Sequence, residues 1–421
     1  MGNWVEGMRK ARKNFILGVL SECLWGLGFG LFMPATLVSL ALVDLGGSAP
    51  LAGLLASIFA TGITLPQAFS ALALSPKWTD PPKTALLHLP AVLGPLLSGL
   101  GFVLIPSSDP SGRLVCLLAG FSVFSLAIGI AVPHWVAAIG RCLPENVRGR
   151  YFGLSFFASG LGSTLTGWWG AHWVSHGGLE WGYALCFLLA APFLALSLLV
   201  LAFLKPITGR PLPPPPGAWK GSFKIMNQKL MEPGLFQTGL LLTLLLIITS
   251  SSGNLFTVYL KTQAHVETSW FEWFTPAMSL GATLGAFCLG WLVDHRGVRA
   301  GYAAAFVAGL ASVSLILFWK SPGPPGLAYA SFGFLNVSFP VINLVLILKL
   351  AGRRNSSVQT GLFNTLMSPW NFAAPLFAGW LAAHAGYGWA FGLAMGSCFA
   401  GFWILAKNEN LDVKPQRSDK K

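Results

Sequence analysis

Long apolar runs alternate with short polar breaks along the whole chain. Twelve runs approach or exceed the roughly 20 helical residues needed to cross a hydrocarbon core of ~30 Å. They fall at residues 15–42, 52–74, 85–105, 114–140, 151–174 and 182–204, then at 235–260, 270–293, 301–319, 327–350, 361–383 and 389–406. The runs are continuous and not ten-residue alternations, which predicts spanning helices and argues against a barrel. The first run follows a basic segment, yet it is too long for a signal peptide and has no small-residue cleavage site after it. It is predicted to be the first span.

The longest polar stretch, residues 205–234, splits the runs six and six. It opens with the stiff spacer Pro211–Pro216. Lys220–Met231 follows, where Phe223, Met226 and Leu230 fit one face of a short interfacial helix, an irregular linker being the alternative. The predicted architecture is an all-α membrane protein of twelve transmembrane helices in two six-helix bundles. Its parts are residues 1–204, a cytoplasmic central loop at 205–234, and 235–421 with a short cytoplasmic tail.

Composition agrees with that pattern. Hydrophobic residues make up 54% of the chain, charged residues only 10%, and the mean hydropathy is +0.65. Soluble domains carry nearer a quarter charged residues, so a soluble enzyme is excluded. With the N-terminus placed in the cytoplasm, 24 of the 27 Lys and Arg residues sort to the inner side, the exceptions being Arg113, Lys261 and Lys320. The positive-inside rule therefore accounts for the net charge of +13, with no nucleic-acid partner needed. Both termini are predicted to be cytoplasmic, in a cytoplasmic (inner) membrane. The 6 cysteines are scattered singly, without C-x-x-C, and indicate neither a disulfide framework nor a metal site.

The two halves are weakly alike. Span 4 carries Pro133-His134 before Arg141, span 10 carries Pro340 and Asn343 before Lys349, and spans 5 and 11 each open with a glycine, Gly153 and Gly361. Duplicated halves are a mark of transporters. The stretch Gly290–Arg299 reads GWLVDHRGVR, and Leu143–Gly153 reads LPENVRGRYFG. On these motifs and the six-plus-six organisation, the chain resembles the major facilitator superfamily, whose signature is G-x-x-x-D-R-x-G-R-R. Gly290, Asp294, Gly297 and Arg299 match it, with His295 and Val298 in place of two arginines. The first-half counterpart, Ala71–Lys83, has Ser75 where the acidic residue belongs, so an intracellular lock would rest on Asp294 alone. Span 5 lacks the Gly-Pro pair of the drug antiporters and instead spaces Gly153, Gly160 and Gly167 by seven, which suits close helix packing. The resemblance implies that spans 1, 4, 7 and 10 line a central cavity.

Within the spans, Glu22 stands out, because a carboxylate in lipid is costly and must face protein or a water-filled cavity. At 1.5 Å per residue it lies ~10 Å deep, near the depth of His134. These two are the proton-coupling candidates; His88, close to the end of span 3, is expected at the membrane interface. Trp25 and Trp135 neighbour them in sequence and are expected to form aromatic walls. Asn254, Asn336, Asn343, Trp370 and Asn371 complete the candidate substrate cavity, interhelical hydrogen bonding being their alternative role. Asp294, with Gly290, Gly297, Arg296 and Arg299, is expected to close an inner gate against Arg148 and Arg150 at the start of span 5.

No nucleophile elbow, P-loop or zinc helix is present, so neither an enzyme nor a cofactor is expected and transport would be driven by a gradient. The expected function is alternating-access movement of a small organic solute with protons, export of amphiphilic or cationic compounds being favoured. Uptake of a neutral polar solute such as a sugar is the alternative. A non-transporting sensor or assembly factor is the alternative class. The partners expected are a small-molecule substrate, protons and the lipid bilayer, with the chain a monomer.

Overall fold

A computed structural model describes residues 2–209, 235–317, 323–351 and 356–408. Most of the central loop, including Pro211–Pro216 and Lys220–Met231, lies outside the described residues, as do Lys320 and the tail after Asn408. Among the described residues every regular element is helical. Span 1 runs through Gly2–Leu31 and continues, after a break before Pro34, as a widened turn Pro34–Val38 and Ser39–Asp44. Proline lacks the amide that would continue the ladder, and the Val38 amide donates back to Met33 O at 3.0 Å. Span 2 comprises Ala49–Thr64 and Pro66–Ala73, span 3 Pro81–Leu104 and span 4 Pro110–Cys142.

Spans 5 and 6 form one run, Glu145–Ala202, turned back at Gly178, whose φ of 70° only glycine adopts cheaply. Span 7 is Leu235–Gly253 continued by Phe256–Thr262. Spans 8 and 9 share Phe271–Leu317 and part at Gly297, with φ 86°. Span 10 is Gly323–Ala351, span 11 Ser356–His384 and span 12 Tyr387–Lys407. Nine runs among the described residues are long and apolar enough to cross a membrane. Two of the nine hold two spans each. Span 11 falls outside them, its apolarity diluted by Asn364, Thr365, Ser368, Pro369, Asn371 and Pro375. The result is the predicted all-helical membrane architecture.

Span 3 shows which solvent it meets. Leu86, Leu89, Leu93, Leu97, Leu100 and Leu104 form an exposed stripe at helical spacing, while Ala85, His88, Ala91, Pro95 and Phe102 point inward. An exposed leucine stripe of that length suits lipid and not water. Inside the first half, Phe32 meets Phe121, Phe124 and Phe187 at centroid distances of 5.6, 5.3 and 5.1 Å. The second half has a matching cluster in which Phe256 meets Phe332, Phe391 and Tyr329 at 5.5, 5.8 and 5.9 Å. Each half thus has its own aromatic core, and the contacts between halves are of a different, smaller and more polar kind.

Candidate transport site and gates

Asn14 fixes one end of the molecule. Its Nδ2 donates to Cys142 O at 2.8 Å and to Lys205 O at 2.7 Å, joining spans 1, 4 and 6 at what is called here the N-terminal face. Two turns further along span 1 lies Glu22. Gly18, one turn before it, lets the Tyr151 ring of span 5 press against the helix; a Cβ there would sit 2.5 Å from Tyr151 Cε2. Glu22 then lies beside the Trp135 indole of span 4, with Tyr151 within electrostatic reach. The buried hydroxyls of Tyr151 and Ser155 make no hydrogen bond of good geometry. Spans 1, 4 and 5 therefore meet around one carboxyl, with the Trp135 indole and Tyr151 beside it.

His134 does not join that group in this conformation. Consecutive helical residues point about 100° apart, so Trp135 facing span 1 turns His134 elsewhere. His134 Nε2 lies 3.0 Å from Ser70 Oγ and 3.3 Å from Ser70 O on span 2. His88, expected at the interface, is instead buried, with Nδ1 2.8 Å from Thr84 O. It sits edge-on to Trp25 at 5.9 Å, and Trp25 stacks on Phe124 at 6.4 Å. The two tryptophans thus serve different neighbours: Trp135 the carboxylate, Trp25 the His88 side of the bundle.

Most of the candidate amides are already occupied by protein. Asn254 donates to Ser250 O of its own span at 3.3 Å. Asn343 Oδ1 accepts from Thr243 Oγ1 at 2.9 Å and from the Tyr302 hydroxyl at 3.4 Å, which leaves its buried Nδ2 without a partner. Asn371 Nδ2 reaches Thr64 Oγ1 across the halves at 3.4 Å. Asn336 and Trp370 are exposed.

Two seams join the halves. Along spans 2 and 11, Ser57 Oγ donates to Phe372 O at 2.6 Å, Thr64 Oγ1 pairs with Ser368 Oγ at 2.9 Å, and Asn364 Nδ2 donates to Gln67 Oε1 at 2.9 Å. Glycine packing extends this seam from Gly379 against Ala49 to Gly361 against Ala68. Along spans 5 and 8, Gly167 meets Thr275, Ser163 Oγ lies 3.2 Å from Ser279 Oγ, and Gly160 is filled by Thr283. One heptad further towards the N-terminal face, Gly153 and Gly290 occupy the same helix faces, yet a Cβ on either would meet nothing within 4 Å. Spans 5 and 8 therefore part at that end.

The opposite face is held together. Lys261 Nζ lies 3.8 Å from Asp44 Oδ1, and the Tyr183 hydroxyl donates to Asp44 Oδ2 at 2.7 Å. Thr257 Oγ1 donates to Ala35 O at 2.8 Å. Glu272, at the start of span 8, lies 3.3 Å from His172 Nδ1 and 3.6 Å from His176 Nδ1, and accepts from Ser175 Oγ. Arg113 pairs with Glu180 at 3.0 Å, so both described cations of this face are neutralised by carboxylates.

At the N-terminal face the gating candidates stand apart. Asp294 is exposed and has no hydrogen bond or ion pair among the described residues. Arg296 and Arg150 are exposed and Arg299 is half-buried. Arg148 caps the end of span 4, donating to Leu143 O at 3.1 Å and to Gly140 O at 2.5 Å. In the first-half loop, Ser75 accepts from the Lys77 amide at 3.4 Å, and the loop's carboxylate is Asp80, five residues on. Asp80 Oδ1 lies 2.8 Å from Arg141 Nη1, which also donates to Thr79 O and Thr79 Oγ1 at 3.0 Å each.

The Major Facilitator Superfamily matches residues 19–375, and the chain belongs to that family of membrane transporters. Its fold is similar to that of solved transporters. A variant of the nucleoside transporter NupG has a TM-score of 0.65 at 13% identity, covering 94% of this chain and 99% of that one. A D-xylose-proton symporter has a TM-score of 0.63 at 16% identity, covering 96% and 99%. A peptide transporter, solved with sulfate, has a TM-score of 0.63 at 17% identity, covering 95% of each. No curated protein sequence matches the chain.

Proposed function

We propose that this chain moves a small organic solute across its membrane by alternating access, coupled to protons through Glu22. The observation that carries this reading is the asymmetry between faces: contacts between the halves close one face, while Gly153 and Gly290 stand apart at the other. That is one of the two states an alternating carrier must visit. Glu22 lies two turns from Asn14, towards the face where spans 5 and 8 part, with the Trp135 indole and Tyr151 beside it. A carboxyl in such a place can hold a proton or pair with a cation, and the surrounding rings favour a cation with apolar parts. Asn254 and Asn371 each donate to protein, and Asn343 keeps only its Nδ2 unpartnered, so the span amides offer a sugar few donors. Export of amphiphilic or cationic compounds is the resulting sub-reading, from a cytoplasm facing the N-terminal face where the cations cluster.

Uptake of a neutral polar solute has two observations in its favour, both on span 10: the exposed Asn336 and the unpartnered Asn343 Nδ2. The solved D-xylose-proton symporter shares the fold with a solute of that kind. Purified protein in proteoliposomes with a lumenal pH dye separates the readings. Solutes are first chosen by the rise they cause in thermal stability. Wild type is expected to change lumenal pH when a selected solute is added, and Glu22→Gln to abolish that change while still exchanging labelled solute. A wild-type pH response in Glu22→Gln removes Glu22 from the coupling.

A further inference from the structure

The sequence places His172 and His176 one helical turn apart on span 5, so both imidazoles share a face. Span 8 begins a hundred residues later and brings the Glu272 carboxylate against them from the other half of the molecule. The ligand-capable atoms of the three side chains all lie within 4.8 Å of one another. Glu272 Oε2 is 3.3 Å from His172 Nδ1, and Oε1 is 3.6 Å from His176 Nδ1, a nitrogen that also lies 3.0 Å from His172 O and would give up that contact to bind a metal. A tetrahedral zinc ion with bonds of about 2.1 Å has ligand-to-ligand edges of roughly 3.4 Å. The carboxylate is mostly covered, at 14% side-chain exposure, whereas His176 stands at 65% and leaves an approach from solvent. Trp168 stacks on His172 at 5.8 Å and steadies that ring, and the two imidazole centroids are 4.2 Å apart.

We propose that His172, His176 and Glu272 form a site for a divalent zinc ion that staples the two halves together at the face opposite Asn14. Two neutral imidazoles and one carboxylate are a donor set that zinc accepts, with water as the fourth ligand. Ser175, whose hydroxyl donates to Glu272, would hold the carboxylate in its orientation towards the ion. Two ligands come from the first half and one from the second, so the complete site exists only while this face is closed. Zinc would then bind one state of the carrier and hold it there, shifting the population by its differential affinity. The clamping role rests on the alternating-access reading above, whereas the ion site does not.

Titration of ZnCl2 into purified protein in detergent tests the site, with Co2+ as a spectroscopic probe. One zinc per chain is expected after gel filtration, with a rise of a few degrees in apparent Tm. Co2+ should give visible absorption bands of a four-coordinate nitrogen and oxygen site. His176→Gln and Glu272→Gln should each lose the bands and the Tm rise, whereas His295→Ala, His384→Ala and Cys288→Ser should keep both. His176 and His172 are partly exposed, so His176→Gln is expected to fold, and an unchanged elution profile checks this. Absence of stoichiometric zinc in wild type overturns the site. Full zinc stabilisation of Glu272→Gln overturns the bridge between halves. If zinc binds in one-to-one ratio but leaves the labelling of a cysteine at position 153 unchanged, the clamp fails and the site stands.

Discussion

The seam between spans 2 and 11 and the seam between spans 5 and 8 join the same two bundles in different ways. The first is hydrogen-bonded through Ser57, Thr64, Gln67, Asn364 and Ser368, and stays packed from Gly379 down to Gly361. The second is a row of small residues that touch at Gly167, Ser163 and Gly160 and then separate at Gly153. Polar bonds between spans in lipid have no water to replace them, so a seam built from them keeps its register as the halves rock. A seam of glycines and hydroxyls has little to lose by parting and little to stop it closing. On the alternating-access reading proposed above, the 2–11 seam would be the pivot and the 5–8 seam the moving jaw.

The largest expected effect separates two glycines of one heptad row. Gly160→Leu drives a branched side chain into Thr283, and overpacking of this kind typically costs about 1–3 kcal/mol or more. A fall in thermal stability and in monodisperse yield should follow. Gly153→Leu meets open space in this state and should leave stability within about 0.5 kcal/mol of wild type. It would nevertheless fill the gap that Gly290 must approach, so solute-driven pH changes in proteoliposomes should disappear. Normal transport by Gly153→Leu would mean that spans 5 and 8 do not close there.

A smaller effect tests the pivot. Asn364→Leu leaves Gln67 Oε1 without its donor, and one such hydrogen bond contributes about 1 kcal/mol. Thr64→Val removes the bond to Ser368 and the one from Asn371, with a similar loss. If the 2–11 seam is the pivot, either substitution alone should lower thermal stability by less than Gly160→Leu, and the two together should loosen both states equally. Labelling of a cysteine at position 153 should then stay at its wild-type rate. A marked change in that rate would place the seam among the gates.

Much of this was legible along the chain, and the exceptions share a cause. Continuous apolar runs disclosed the spans, and the glycine heptad 153, 160, 167 disclosed a packing face, because both are periodicities within one element. Ser57, Thr61 and Thr64 also repeat at helical spacing, so a small polar stripe on span 2 was there to be read. The partners were not. Glu272 meets His172 and His176 from a hundred residues away, and Lys261 meets Asp44 from more than two hundred, distances no local pattern encodes. His134 and Trp135 show the same limit at close range. Both were legible as polar or aromatic groups deep in span 4, but which one faces Glu22 depends on helix rotation, set by packing against spans 2 and 5. Asp80 lies at no motif position, and only the contact with Arg141 reveals its part in the loop.

The smallest effect concerns Asp294, the candidate for closing the jaw. In this state it is exposed and has no partner among the described residues, so Asp294→Asn should not alter thermal stability. When spans 5 and 8 close, Gly290 approaches Gly153, and Asp294, one turn beyond Gly290, approaches the start of span 5. Arg148 is committed there to the carbonyls of Gly140 and Leu143, which leaves exposed Arg150 as the cation better placed to move. A solvent-accessible ion pair contributes roughly 0.2–1 kcal/mol, enough to shift a two-state population by up to about fivefold. In a background without native cysteines, Asp294→Asn should therefore raise the labelling rate of a cysteine at position 153 by about two- to fivefold. Arg150→Ala should match it, whereas Arg148→Ala should instead lower thermal stability by uncapping span 4. High salt should shrink the difference between Asp294→Asn and wild type, since the pair is screened. An unchanged labelling rate in both Asp294→Asn and Arg150→Ala would leave the jaw to close on shape alone, through Gly153 and Gly290.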